Sequence, residues 1–326
     1  MPFVAVSHRQ SAVVVSLLLQ LCLVFPGLAH SQDSGGEGPA PFEFIVYGDP
    51  RYTDNLLKRG SERARRAILN QIRTERASFV AIVGDLVLNG ADPTDWERFD
   101  EVVAPLKAAG KRIVPVLGNH ELEGGPEHVG LENYFARFPE VGRKRWYSFS
   151  INGCLFIVAD SQSPVDPGSK QGKWIRGQLD SVGPGIDYVF VLMHHPPYTR
   201  SESRFLTRAH PALPEHTALG KEMEERQKKL RARIVVISGH VHNYERYENG
   251  GVMYIVSGGG GGTPHSIPRD DADHYRDSGE TFHYVRFMVT PGRKLQFEMV
   301  KLKSRENPDF EVRDRFELTP KPVAGS

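Results

Sequence analysis

Residues Ser78–Asp85 read "SFVAIVGD": five apolar residues in a row, then a glycine, then a carboxylate. A run so short and so uniformly apolar is the pattern of a buried strand. The same form stands on either side of it, in "FEFIVYGD" (Phe42–Asp49) and "KRIVPVLGNH" (Lys111–His120). The segment "SERARRAILNQIRTER" (Ser61–Arg76) separates the first two strands and spaces Ala64, Ala67, Ile68 and Ile72 along one helical face. "TDWERFDEVVAPLKAAG" (Thr94–Gly110) separates the second and third, and reads as a helix capped by Thr94 and closed by Gly110. Strand, helix, strand, helix, strand predicts an α/β fold with parallel pairing and right-handed crossovers.

Each of these strands ends in a glycine followed by a polar residue: Gly48-Asp49, Gly84-Asp85 and Gly118-Asn119. Ligands collect at the carboxyl ends of strands in open α/β sheets, where glycine lets the backbone turn and present the next side chain. Two later strands behave alike. "DYVFVLMHHPPY" (Asp187–Tyr198) ends in His194 and His195, and "RIVVIS" (Arg233–Ser238) runs into "GHVHNYER", where His240 and His242 are two residues apart. Residues i and i+2 on a strand end point to the same side, so both imidazoles can reach one point. Asp49, Asp85, Asn119, His120, His194, His240 and His242 therefore form one expected site. Carboxylate, carboxamide oxygen and imidazole without thiolate suit Mn, Zn or Fe rather than a structural zinc. Two ions match so many donors better than one, and two ions can clamp the entering and leaving oxygens of a displacement at phosphorus.

The remaining chain reads as one domain from 42 to 320, with a short tail at 321–326. "RKRWYSFSINGCLFIVAD" predicts a hairpin turned at Asn152-Gly153, and Cys154 a small core residue within it. Helices are expected in "KQGKWIRGQLDSV" and "EHTALGKEMEERQKKLRAR", followed by a β-rich tail with "GVMYIVSGGG", "TFHYVRFMV" and "KLQFEMVKL". Two polar loops, Pro196–Pro214 and Gly258–Gly279, are candidates for substrate selection. The run "SGGGGG" (Ser257–Gly262) lacks the Lys-Ser/Thr and helix of a phosphate loop, and reads as a flexible turn beside the site.

Lys plus Arg number 41 against Asp plus Glu 40, so the net charge of +1 gives no field suited to nucleic acid or a membrane surface. Residues 1–31 carry Arg9, the apolar run "SAVVVSLLLQLCLVFPGLA" and small residues Ala29 and Ser31, the pattern of a secretory signal, and 32–41 reads as a polar linker. An exported, secreted or periplasmic chain without a stable membrane span is expected.

In order, "GD", "GD", "GNHE", "MHHPPY" and "GHVHNYER" resemble the calcineurin-like metallophosphoesterases, and within them the purple acid phosphatase branch. The resemblance runs from about Phe42 to Leu302. It implies a β-sandwich of mixed sheets flanked by helices, with a dinuclear metal site along one edge. It further implies that Asp85 bridges two metals, that Asp49 and His242 hold the first, and that Asn119, His194 and His240 hold the second. His120 would contact the phosphate and protonate the leaving oxygen, and His195 is either a second imidazole in the pocket or a residue turned to the back.

Two positions depart from the pattern. Arg51 stands where the general family has a first-metal histidine, and Leu88 where the purple branch has a tyrosinate. Either Tyr52 substitutes, or three protein ligands and water hold the first metal. A guanidinium is no ordinary ligand, so Arg51 is expected to serve the phosphate, or else to pair with Asp49 or Asp54. The implied activity is hydrolysis of a small phosphate ester by a metal-activated hydroxide, with a monoester as the leading substrate. A phosphodiesterase or nucleotidase of the same fold, and a catalytically lapsed phosphate binder, remain open.

Overall fold

The computed structural model describes residues 41–51, 62–201, 210–269, 271, 273–277, 279–290 and 294–321. The signal-like segment 1–31, Tyr52, Asp54 and most of the tail lie outside the described residues.

Two six-stranded sheets pack face to face. In the first, β1 (Phe42–Tyr47), β2 (Phe79–Val83) and β3 (Arg112–Val116) pair in parallel. Antiparallel β10 (His283–Val289), β11 (Leu295–Leu302) and β12 (Phe310–Leu318) extend this sheet from β1. The second runs β4 (Tyr147–Ile151), β5 (Cys154–Val158), β6 (Tyr188–Leu192), β7 (Arg233–Ser238), β9 (Val252–Ser257) and β8 (Tyr244–Asn249), with β5, β6, β7 and β9 parallel. The expected α/β sandwich of mixed sheets is the observed one.

Phenylalanines hold the two sheets together. Phe44 of β1 stacks on Phe287 of its own sheet at 4.8 Å and meets Phe156 and Phe190 of the opposite sheet edge-on at 5.0 and 4.9 Å. Phe79 adds an edge contact to Phe156 at 5.2 Å. Such pairs contribute about 0.5–1.5 kcal/mol each beyond the burial of their area. The crossover helices α1 (Glu62–Thr74) and α2 (Pro93–Ala108) cover the first sheet, and α4 (Lys170–Asp180) and α5 (Pro214–Lys229) cover the second, with α3 (Glu127–Arg137) between β3 and β4.

Three local readings change. Asp92, not Thr94, caps α2: its carboxylate accepts the N–H of Thr94 at 2.9 Å, and Pro93 fills the first helical position, where a missing N–H costs nothing. Helix α3 and strands β8 and β12 did not stand out in the sequence; β8 and β12 are edge strands with polar residues on one face. The glycine run is not a flexible turn. Gly258 to Gly262 are buried, and Gly260 and Gly262 donate to the carbonyls of Gly48 and Asp49 at 2.8 and 2.9 Å. The hairpin turn stands as read, with Asn152 and Gly153 both at positive φ.

Glu121, in a 3-10 turn after β3, ties the ends of β2 and β3 together. Its fully buried carboxylate accepts backbone N–H groups from Gly118 (2.7 Å), Asp85 (3.0 Å), Leu86 (2.7 Å) and Val87 (3.3 Å). Burial and the negative charge of Asp85 push this carboxyl up to about 8, while the donated N–H groups pull it down. Above about pH 8, where the carboxyl is ionised, Glu121→Gln turns one acceptor oxygen into a donor facing donors, so the metal-free chain should lose about 1–3 kcal/mol of stability there. Urea unfolding measures this, and an unshifted midpoint would remove Glu121 as the clamp.

Candidate metal centre

The strand ends of both sheets meet at one edge of the sandwich. Asp49 follows β1, Asp85 follows β2, Asn119 and His120 follow β3, His194 follows β6 and His240 follows β7. The approach leaves no room for side chains at two points. A Cβ on Gly84, which sits at φ 88°, would lie 2.3 Å from His194 Nδ1, and one on Gly239 would lie 2.5 Å from Asp49 Oδ2. Asp49, Arg51, Asp85 and His240 are all left-handed, with φ of 60°, 39°, 55° and 67°. Strain of this kind, roughly 1–3 kcal/mol per residue, persists only where the surroundings impose it.

Three donors close on His194 Nε2. His194 Nε2 is 3.2 Å from Asp85 Oδ1, 3.1 Å from Asn119 Oδ1 and 3.2 Å from His240 Nδ1. Their orientations are set from behind. His194 Nδ1 donates to Val83 O at 2.9 Å, leaving Nε2 as a bare lone pair. The Asn119 amide donates to Glu123 at 2.8 Å, which turns its oxygen inward. His240 Nε2 meets His210 Nδ1 at 3.1 Å. Burial drives both His194 and His240 below the ordinary imidazole range, so both are neutral. Lone pairs facing lone pairs across 3 Å need a cation between them, and the donor set fits a divalent ion.

The neighbouring position is built differently. Asp49 accepts the His240 backbone N–H at 2.9 Å and lies 3.4 Å from His242 Nε2. His242 donates its Nδ1 proton to Thr263 O at 2.6 Å, and its buried Nε2 has no hydrogen-bond partner. Arg51 pairs with Asp85 Oδ2 at 3.0 Å, and the suggested partner Asp54 lies outside the described residues. Burial opposes charge on Asp85, but the positive groups facing it, the Arg51 guanidinium among them, outweigh it and hold the carboxyl well below its usual range. Asp49 goes the other way: burial and then the Asp85 charge raise it well above. Two adjacent buried carboxylates therefore leave the site short of positive charge.

His120 and His195 flank the centre. His120 donates Nδ1–H to Leu88 O at 2.6 Å and turns Nε2 toward Asp85, 3.8 Å away. The backbone of Leu88, a position that offers no ligand side chain, thus aims the candidate acid. His195 lies inside the pocket: its ring centroid is 4.2 Å from that of His240, and Ser161 Oγ and Gln162 Nε2 approach its Nδ1 at 2.9 and 3.1 Å. Burial and the neighbouring His194 and His216 bring it down to about 2, so it too is neutral.

Sequence reasoning missed Glu121 and His210; His265, one of the candidate positive groups in the loops, stacks on His242 at 4.2 Å. Glu121 was visible in "GNHE", but its role as a backbone acceptor was not; His210 sits in a loop with no strand-end signature. Of the loop cations, Arg200 pairs with Asp273 at 3.0 Å, and Arg204 is outside the described residues. A groove of about 830 Å³ near Glu75, Arg286 and Glu298 lies far from these strand ends, and Arg286 there is already paired with both glutamates.

The calcineurin-like phosphoesterase profile matches residues 42–244. Purple acid phosphatase 22 of Arabidopsis thaliana is 29% identical over 299 residues, covering 81% of this chain and 63% of the relative. Purple acid phosphatase 21 of the same plant is 28% identical over 241 residues, covering 68% of this chain and 50% of the relative. The purple acid phosphatase PPD1 from yellow lupin seeds superposes with a TM-score of 0.68 at 19% identity, over 86% of this chain and 54% of that one. This chain thus spans between half and just under two thirds of the length of these relatives. With its motifs at the matching strand ends and the profile covering most of the chain, the protein belongs to the calcineurin-like phosphoesterase family.

Proposed function

We propose that the chain is an exported, metal-dependent phosphomonoesterase acting on small phosphate esters. One observation carries this reading: donor atoms of Asp85, Asn119 and His240 lie 3.2, 3.1 and 3.2 Å from His194 Nε2 while His120 stands beside them, outside that set. A mere binder has no chemical need for a positioned proton donor. The family implies a dinuclear metal centre, and the purple acid phosphatase relatives favour monoesters. Export is supported by the signal-like pattern of residues 1–31. Among the described residues no helix is long and apolar enough to cross a membrane.

Asn119, His194 and His240, with Asp85, would hold an ion of Fe, Mn or Zn, and Asp49 and His242 line the position beside it. When bound, such an ion supplies Lewis acidity toward a phosphoryl oxygen and an activated water. The chain's own residues do the rest. Arg51 places a fixed positive charge against Asp85, where a phosphoryl oxygen would gain from it. His195, a neutral imidazole fixed by Ser161 and Gln162, is placed to hydrogen-bond the ester. His120 holds a proton on Nδ1 for Leu88 O, which leaves Nε2 to carry the proton given to the departing alkoxide. The loop linked by Arg200 and Asp273 would border the substrate.

His120→Ala should lower kcat on an alkyl phosphate by about 100-fold or more, and on a nitrophenyl ester by much less, because the better leaving group needs no proton. Equal losses across a leaving-group series would remove the acid role. Treating the full chain with chelator should abolish turnover of an aryl phosphate, and Mn, Zn or Fe should restore it. Faster turnover of a bis-aryl phosphate would reassign the enzyme as a diesterase, and no turnover with any metal, alongside phosphate binding, would make it a lapsed binder.

A further inference from the structure

Arg51 occupies the place where a second cation would be expected. Its left-handed backbone is held by its own N–H on Asp85 O at 3.1 Å, and its Nε reaches Asp85 Oδ2 at 3.0 Å. The side chain is only 10% exposed. The carboxylate oxygen that a second ion would share is therefore already satisfied by a permanent cation. Asp49, Asp85 and His194 bring ligand atoms within 4.8 Å of one another, as do His194, His195 and His240, but among the described residues His242 joins neither group. One divalent ion and one guanidinium against two buried carboxylates leave a single positive charge in surplus, whereas a further ion beside Arg51 would crowd like charges around the same carboxylate.

We infer that Arg51 replaces one of the two metal ions: the chain holds a single ion, among the donors that face His194 Nε2, and the guanidinium supplies the charge on the other side of Asp85. The inference deepens the hydrolase reading and rests on it for the presence of an ion. It also explains how a site with an apolar Leu88 and an arginine beside its central carboxylate can still neutralise both buried carboxylates.

The test uses the full chain stripped with chelator and titrated with Mn(II), read by calorimetry, metal analysis and electron paramagnetic resonance. The expected result is one Mn(II) per chain with the six-line spectrum of an isolated ion. Arg51→Ala should take two ions with an exchange-coupled spectrum, because Asp85 Oδ2 is released and the orphaned His242 Nε2 gains a use. Arg51→Lys, which keeps the charge, should stay at one. Two coupled ions in the unaltered chain would overturn the inference, as would an Arg51→Ala chain that remains at one, or an unaltered chain that takes none. A chain that holds one ion but hydrolyses no phosphate ester would sink the hydrolase reading alone.

Discussion

Two carboxylates, Asp49 and Asp85, are fully buried beside each other, and the architecture of this edge of the molecule answers the cost of placing them there. Like charges buried side by side cannot both ionise without cations, and each cation source observed or implied is aimed at them: the Arg51 guanidinium and the donors around His194 that call for a metal ion. The imidazoles nearest the centre are kept neutral by burial, which is what a ligand lone pair requires. Removal of the compensating cations would leave these carboxylates to recover protons, and the left-handed backbone of both residues would then be strain without purpose.

The sandwich makes that arrangement rigid. Interleaved phenylalanines fix how far apart the two sheets lie, and the parallel strands of both then end at the same edge. Close packing at Gly84 and Gly239 brings His194 against the first sheet and Asp49 against the second. Glu121 and the buried glycine run act as braces, the one through its carboxylate and the other through its backbone N–H groups. The polar end of the last motif is a brace as well. Arg246 binds Asp314 of β12 through two nitrogens at 2.7 and 3.0 Å, and Glu245 accepts Thr199 Oγ1 at 2.6 Å and the Arg200 N–H at 2.7 Å. The tyrosine, glutamate and arginine after the histidines thus serve scaffold and loop, while the histidines serve the centre.

Much of this was legible in the residues. Apolar runs closed by glycine and a polar residue announced the parallel strands and the side on which ligands gather, because the period of burial and the freedom of glycine are local properties of the chain. The order of acidic, amide and imidazole residues named the ligand set for the same reason: ligand type is carried by the side chain itself. Edge strands β8 and β12 were harder to see, since one face of each is polar and the pattern weakens there.

What only the tertiary structure decided is which atoms face which. Arg51 is separated from Asp85 by 34 positions, and no pattern in either segment could say that its guanidinium reaches this carboxylate. His195 could face inward or outward until Ser161 and Gln162 fixed its ring, and Glu121 was a letter in a motif until four N–H groups from two loops closed on it. The glycine run could be slack or packed, and it is packed because Gly48 and Asp49 offer it carbonyls. The sequence by itself determined the strands, the side of the sheet and the chemical types of the ligands; long-range contact determined the partner of each charge, because an ion pair depends on distance in space and carries no signature along the chain.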